Sequence, residues 1–149
     1  TLSLHDALPI WLIVASLTKK RIKFLKTMDK KMDKWNENRD KLLIVWSSGD
    51  IEVANKMVLM YSGVMMERGY WDEAVLMVWG ASVKLLSDNK ELWGKIEKIK
   101  QSGVRLCACV ACVDEYGVAD EYQQMGIEVI HTGVVMTECL KDGWRSITF

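Results

Sequence analysis

From Lys41 onward, short continuous apolar runs alternate with longer segments whose apolar residues recur at helical spacing. That alternation fixes the fold class before any motif is considered. Leu42-Leu43-Ile44-Val45-Trp46 is apolar at every position and stops at Ser47-Ser48-Gly49. A strand apolar on both faces is one covered on both faces, as in a parallel sheet flanked by helices. Glu73 to Trp79, Val104 to Cys109, Ile127 to His131 and Trp144 to Phe149 supply four further strands.

The intervening segments carry helix signals. Asp50 is placed to cap a helix in which Val53, Met57, Met60, Tyr61, Val64 and Met65 share a face, closed by Arg68-Gly69. Gly80-Ala81-Ser82 reads as a loop. Asn89 is expected to cap a helix through about Gln101, with Leu92, Trp93, Ile96 and Ile99 inward and Gly103 ending it. A helix from about Val113 to Met125 stops at Gly126, and Val134 to Lys141 forms another short one. Five strands alternating with helices predict an α/β fold with a parallel sheet, both faces covered and right-handed crossovers.

The chain of 149 residues suits one domain. Half its residues are apolar and mean hydropathy is +0.01, which argues against disorder and against a membrane bundle. Net charge is zero, so no overall field draws the chain to nucleic acid. The charge is nonetheless uneven. Thr18 to Leu42 holds ten Lys or Arg against four Asp or Glu, whereas Leu43 to Phe149 holds ten against fifteen.

Residues 1–40 are therefore expected to be a non-globular basic leader before an α/β domain at 41–149. The first ten residues look like translated sequencing-adapter sequence, which would put the natural start at Met28 or Met32. Ile10 to Leu17 is too short to span a bilayer, and Lys19, Lys20 and Arg21 follow it rather than precede it. No membrane association and no secretory route are expected.

Cys107, Cys109 and Cys112 crowd into Leu106 to Asp114, where the third strand turns toward a helix. In open parallel sheets, ligands and reactive groups gather at the carboxyl ends of strands. Ser47-Ser48-Gly49, Gly80-Ala81-Ser82, Cys109 to Cys112 and Thr132-Gly133 all fall there. A thiol beside unpaired helix N–H groups is shifted toward thiolate, the reactive form. Asp114 works against that shift. Clustered cysteines without a secretory signal argue against a disulfide framework and for a reducing cytoplasm.

Cys107, deeper in the strand, reads as a small buried hydrophobe, and Cys139 reads as core. Cys109 and Cys112 are close enough for a disulfide or a persulfide relay, or they are a second structural pair. Cys109 is expected to emerge unburied at the turn. His131 reads as structural, with a proton-handling role left open. One C-x-x-C does not make a four-ligand zinc site, and neither a P-loop nor G-x-G-x-x-G is present, so no metal or cofactor is expected. The only proline is Pro9, so the proline-bearing loop of a thioredoxin-like dithiol site is lacking. Met57, Met60, Met65 and Met66 read as core filler or a packing interface.

With these elements in place, the chain from about Lys41 to Phe149 resembles the DsrE/DsrF-like family. The residues that carry the likeness are K-L-L-I-V-W-S-S-G, then A-C-V-A-C-V-D-E-Y-G-V, then the G-W-R-S-I-T-F ending. The resemblance implies a three-layer α/β/α sandwich with a five-stranded, mostly parallel sheet, often assembled as trimers or hexamers. It implies a sulfur-relay protein that exchanges persulfide sulfur with donor and acceptor proteins. By motif position the persulfide-bearing cysteine maps to Cys109, with Cys112 a second candidate. Two alternatives stand beside this: a non-catalytic oligomeric module with structural cysteines, and a dithiol redox protein cycling Cys109 and Cys112.

Overall fold

The computed structural model describes residues 17–28 and 41–149. The sequence features read in residues 1–16 and at Met32 lie outside them. The chain divides into two compact units, Thr1–Arg39 and Asp40–Phe149. In the first, α1 spans residues 17–28, and its apolar side chains Leu17, Ile22, Phe24, Leu25 and Met28 are exposed. No described helix is long and apolar enough to cross a membrane.

The second unit is built on five strands: β1 (Lys41–Trp46), β2 (Glu73–Val78), β3 (Arg105–Cys109), β4 (Glu128–Ile130) and β5 (Arg145–Thr148). All neighbours pair in parallel, in the order β4-β3-β2-β1-β5. The fully apolar runs occupy the three central strands, as burial on both faces requires. The short or polar β4 and β5 take the edges.

Helices α2 (Ile51–Val53), α3 (Leu59–Val64), α4 (Ala81–Asp88), α5 (Trp93–Gln101), α6 (Val110–Tyr116), α7 (Ala119–Met125) and α8 (Thr132–Lys141) complete the unit. One side of the sheet presents Leu42, Ile44, Trp46, Leu76, Val78, Leu106 and Ala108 to a large core shared with α2 through α7. The other presents Leu43, Val45, Val75, Met77 and Cys107 to a smaller core with Cys139, Val135 and Met136 of α8. This is the α/β/α sandwich expected, with unequal outer layers.

Four helical details differ from the sequence reading. Ala54–Val58 forms a π-helical turn between α2 and α3. The extra residue rotates the inward face, so Ala54, Val58 and Leu59 are buried while Met57 and Met60 are exposed. The supposed loop at Gly80-Ala81-Ser82 opens α4 instead. Ser82 Oγ turns inward, accepting from the Trp79 N–H and donating to the Trp46 carbonyl, which ties the ends of β1 and β2 together. Asn89 does not cap α5; its Nδ2 donates to the Leu85 carbonyl, and a 3-10 turn (Lys90–Leu92) intervenes. Finally, the helix read over 113–125 is two. Gly117 ends α6 at φ +66, a left-handed conformation that suits glycine.

Candidate functional site

Three strand ends converge on the cysteine pair. β3 runs straight into α6 without a loop, so Cys109 is both the last strand residue and the N-cap of the helix. Cys112 then lies in the first turn of α6, rather than beyond a connecting turn. Two residues past the end of β2, Gly80 caps α4 at a φ of +70 that glycine readily adopts, and its backbone N–H faces the Cys112 sulfur. β4 pairs with β3 so that Ile130 lies opposite Cys109, and two residues later Thr132 opens α8.

The expectation that Cys109 emerges unburied is not met. Cys109 retains 7 % of its surface, and Cys112 is the half-buried member of the pair. The reason is the missing loop: a helix starting directly at the strand end folds back over the sulfur, with α8 starting close beside it.

What surrounds that sulfur decides its chemistry. Burial pushes the Cys109 thiol up, but the N–H of Cys112, the hydroxyl of Thr132, the Cys112 thiol and the N–H of Ala111 together outweigh it. The net direction is downward, toward thiolate. Both N–H groups face the sulfur although it makes no regular capping hydrogen bond. Cys112 moves the opposite way. Burial raises its thiol, partly countered by the Gly80 N–H, and the charge of Cys109 and the nearby Glu115 raise it further. The two neighbouring thiols are therefore pushed in opposite directions, Cys109 toward thiolate and Cys112 toward the neutral thiol.

The other sequence candidates are placed elsewhere. Cys107, fully buried, and Cys139, 6 % exposed, belong to the smaller core as expected. His131 is exposed at the N-cap of α8. Among the described residues, no group of three or more His, Cys, Asp or Glu is arranged to hold a metal ion. At the end of β1, the backbone N–H groups of Ser47 and Ser48 are committed, both donating to the Phe149 carbonyl oxygen at 2.7 and 3.0 Å.

A cavity of about 320 Å³ lies at the opposite, amino end of the sheet, lined by Glu73, Arg105, Glu138, Cys139, Asp142 and Trp144. Its Arg105 is already paired to Glu128 at 2.8 Å, and burial, with Asp142 and Glu138 nearby, pushes its Cys139 thiol up, away from the reactive thiolate. The residue that sequence reasoning passed over is Thr132. Its position at a strand end was visible, but its approach to Cys109 comes from the β3–β4 register.

Comparison with known proteins agrees with this architecture. A family model described as the DsrE/DsrF-like family matches residues 40–149. A solved structure of a conserved protein of unknown function from Bacteroides thetaiotaomicron is similar at 34 % identity and TM-score 0.70, covering 74 % of this chain and 95 % of that one. A second, of a protein of unknown function from Methanobacterium thermoautotrophicum, covers 74 % of this chain and all of that one at TM-score 0.57. Its 20 % identity speaks to the fold alone. No curated protein matches the chain.

Proposed function

Because the chain belongs to the DsrE/DsrF-like family, we propose that it is a sulfur-relay protein whose Cys109 carries sulfane sulfur as a persulfide. The observation that carries this reading is the placement of Cys109 at the junction of β3 and α6, where the N–H groups of Ala111 and Cys112, the Thr132 hydroxyl and the Cys112 thiol surround its sulfur. A thiolate at Cys109 attacks the outer sulfur of a donor persulfide, forming Cys109–S–SH and releasing the donor as its thiolate. An acceptor thiolate reverses the step. Cys112 supplies a thiol that hydrogen-bonds the Cys109 anion and assists the exchange.

The partners are a sulfur donor and a sulfur acceptor, in a compartment reducing enough to keep both thiols free, such as the cytoplasm. A homo-oligomer is part of this reading, with the exposed Val134 and Leu140 of α8 and Ile147 of β5 available for burial against a second copy.

Incubation with a polysulfide donor followed by intact mass tests the assignment. The wild type and Cys112→Ser gain sulfur, whereas Cys109→Ser does not. Sulfur uptake by Cys109→Ser at the wild-type level would remove Cys109 from the relay.

A second reading is favoured by one observation: with 7 % of its surface exposed, Cys109 is nearly as covered as the packing cysteines. On that reading the protein is an assembly module, and every cysteine is slow toward alkylating reagents in the native state. Rapid, selective labelling of Cys109 at neutral pH excludes it.

A further inference from the structure

Thr132 is 1 % exposed, and its Oγ1 is fully enclosed without a hydrogen-bond partner. An unpaired buried hydroxyl costs free energy, so its retention calls for a physical reason. The helix it opens gives none. Thr132 lies one residue inside α8, past the N-cap position where a hydroxyl accepts from the first turn, and the N-cap is His131. The residue four positions earlier, Glu128, is in β4, so no helical carbonyl is within the usual back-bonding pattern.

Cys109 pairs with Ile130 across β3 and β4, and Thr132 follows two residues later, which brings its hydroxyl beside the Cys109 sulfur. A neutral thiol is a weak acceptor, whereas a thiolate is a strong one. The hydroxyl is thus placed for a partner that exists only when Cys109 is ionised.

We propose that Thr132 donates its hydroxyl hydrogen to the anionic sulfur of Cys109 and so steadies that sulfur both as nucleophile and as leaving group. The second role rests on the relay reading above. In discharge, an acceptor thiolate R–S⁻ attacks the outer sulfur of Cys109–S–SH. The bond between the two sulfurs breaks, its electron pair stays on Cys109 Sγ, and R–S–SH departs. No external oxidant or reductant is required. Charge returns to Cys109 Sγ as the bond lengthens, and the Thr132 hydroxyl meets it there. The N–H groups of Cys112 and Ala111 approach the same sulfur from α6, and the titratable group facing it is the Cys112 thiol.

Native alkylation with iodoacetamide over a range of about pH 6 to 10 tests the assignment, because the rate follows the thiolate fraction. Cys109 and Cys112 fall on one tryptic peptide, so fragment masses assign the label. Thr132→Val shifts the Cys109 midpoint upward and slows neutral-pH labelling by about tenfold, as loss of one donor to a charged group predicts. Thr132→Ser, which keeps the hydroxyl, labels within about twofold of wild type.

Superposed profiles for Thr132→Val and wild type would overturn the proposal. So would a Thr132→Ser profile as displaced as that of Thr132→Val, since the methyl rather than the hydroxyl would then matter. Thr132→Ala set against Thr132→Ser makes the same comparison if the valine variant does not fold. Polysulfide uptake is read separately. A shifted profile without uptake at Cys109 sinks the relay and leaves the Thr132 donor standing; uptake with an unshifted profile does the reverse.

Discussion

Cys107 and Cys109 leave β3 on the same side, two residues apart, and both are buried. Their chemistry nevertheless diverges. Cys107 packs among Leu43, Val45, Val75 and Met77, where burial replaces water with aliphatic groups and pushes its thiol up to about 11. Cys109 has also lost its water, but two N–H groups, a hydroxyl and a second thiol stand where the water was. Burial therefore does not by itself silence a thiol. The outcome depends on whether the groups that displace solvent can meet the charge.

The widest gap between the two sites is in reactivity. The ordinary thiol value is 9.0; Cys107 lies about two units above it and Cys109 below it. At neutral pH the thiolate fractions therefore differ by at least about a hundredfold. Iodoacetamide is expected to label Cys109 at least that much faster than Cys107, measured by fragment mass spectrometry. Equal rates would show that access governs both sites and would erase the distinction.

Alkaline stability is the next largest effect, and its sign is opposite for the two groups. Cys107 is raised in the folded state, so its contribution is intact below pH 9.0 and is lost as pH climbs toward about 11, because the unfolded chain ionises first. The full loss is about 3 kcal/mol near the upper end. Cys109 is lowered, so it adds stability above its unfolded value and loses it as pH falls through the folded one. Denaturant unfolding of wild type and Cys107→Ala across this window is expected to show a flatter alkaline decline in the variant. Parallel curves would mean that other groups dominate.

Serine substitution makes a finer test. Cys107→Ser places a hydroxyl among aliphatic side chains and is expected to cost about 1–3 kcal/mol. Cys109→Ser places it against ready donors and is expected to cost under about 1 kcal/mol. A reversal of that order would mean that the polar surround of Cys109 does not accept an oxygen in the sulfur's place.

Much of this contrast was legible in the sequence. The five strands were, because continuous apolar runs mark a sheet covered on both faces, and the C-x-x-C stood out by spacing alone. What stayed hidden follows from register and phase. The π-helical turn at Ala54–Val58 displaces the inward face, so Met57 and Met60 look buried on a regular helix and are exposed in fact. Ser82 looks like a loop residue because nothing local reveals that its hydroxyl bonds the ends of β1 and β2. Thr132 reaches Cys109 only through the pairing of β4 with β3, and the depth of Cys109 follows from a strand that enters its helix without a loop. The break at Gly117, by contrast, had a visible signal in the glycine itself.

That glycine gives the smallest test of the comparison. Gly117 receives the end of α6 at φ +66, and its N–H donates to the carbonyls of Asp114 and Val113. A Cβ built there meets nothing within 4 Å, so Gly117→Ala carries a conformational cost without a clash. That cost is about 1 kcal/mol, readable as a lowered midpoint in denaturant. The donors that face Cys109 sit at the opposite end of the helix, at Ala111 and Cys112. Labelling of Cys109 should therefore hold within about twofold of wild type, and labelling of Cys107 should stay as slow as before. A selective loss at Cys109 would instead mean that the far end of α6 sets the aim of its first turn, and the polar surround would then be a property of the whole helix rather than of the junction with β3.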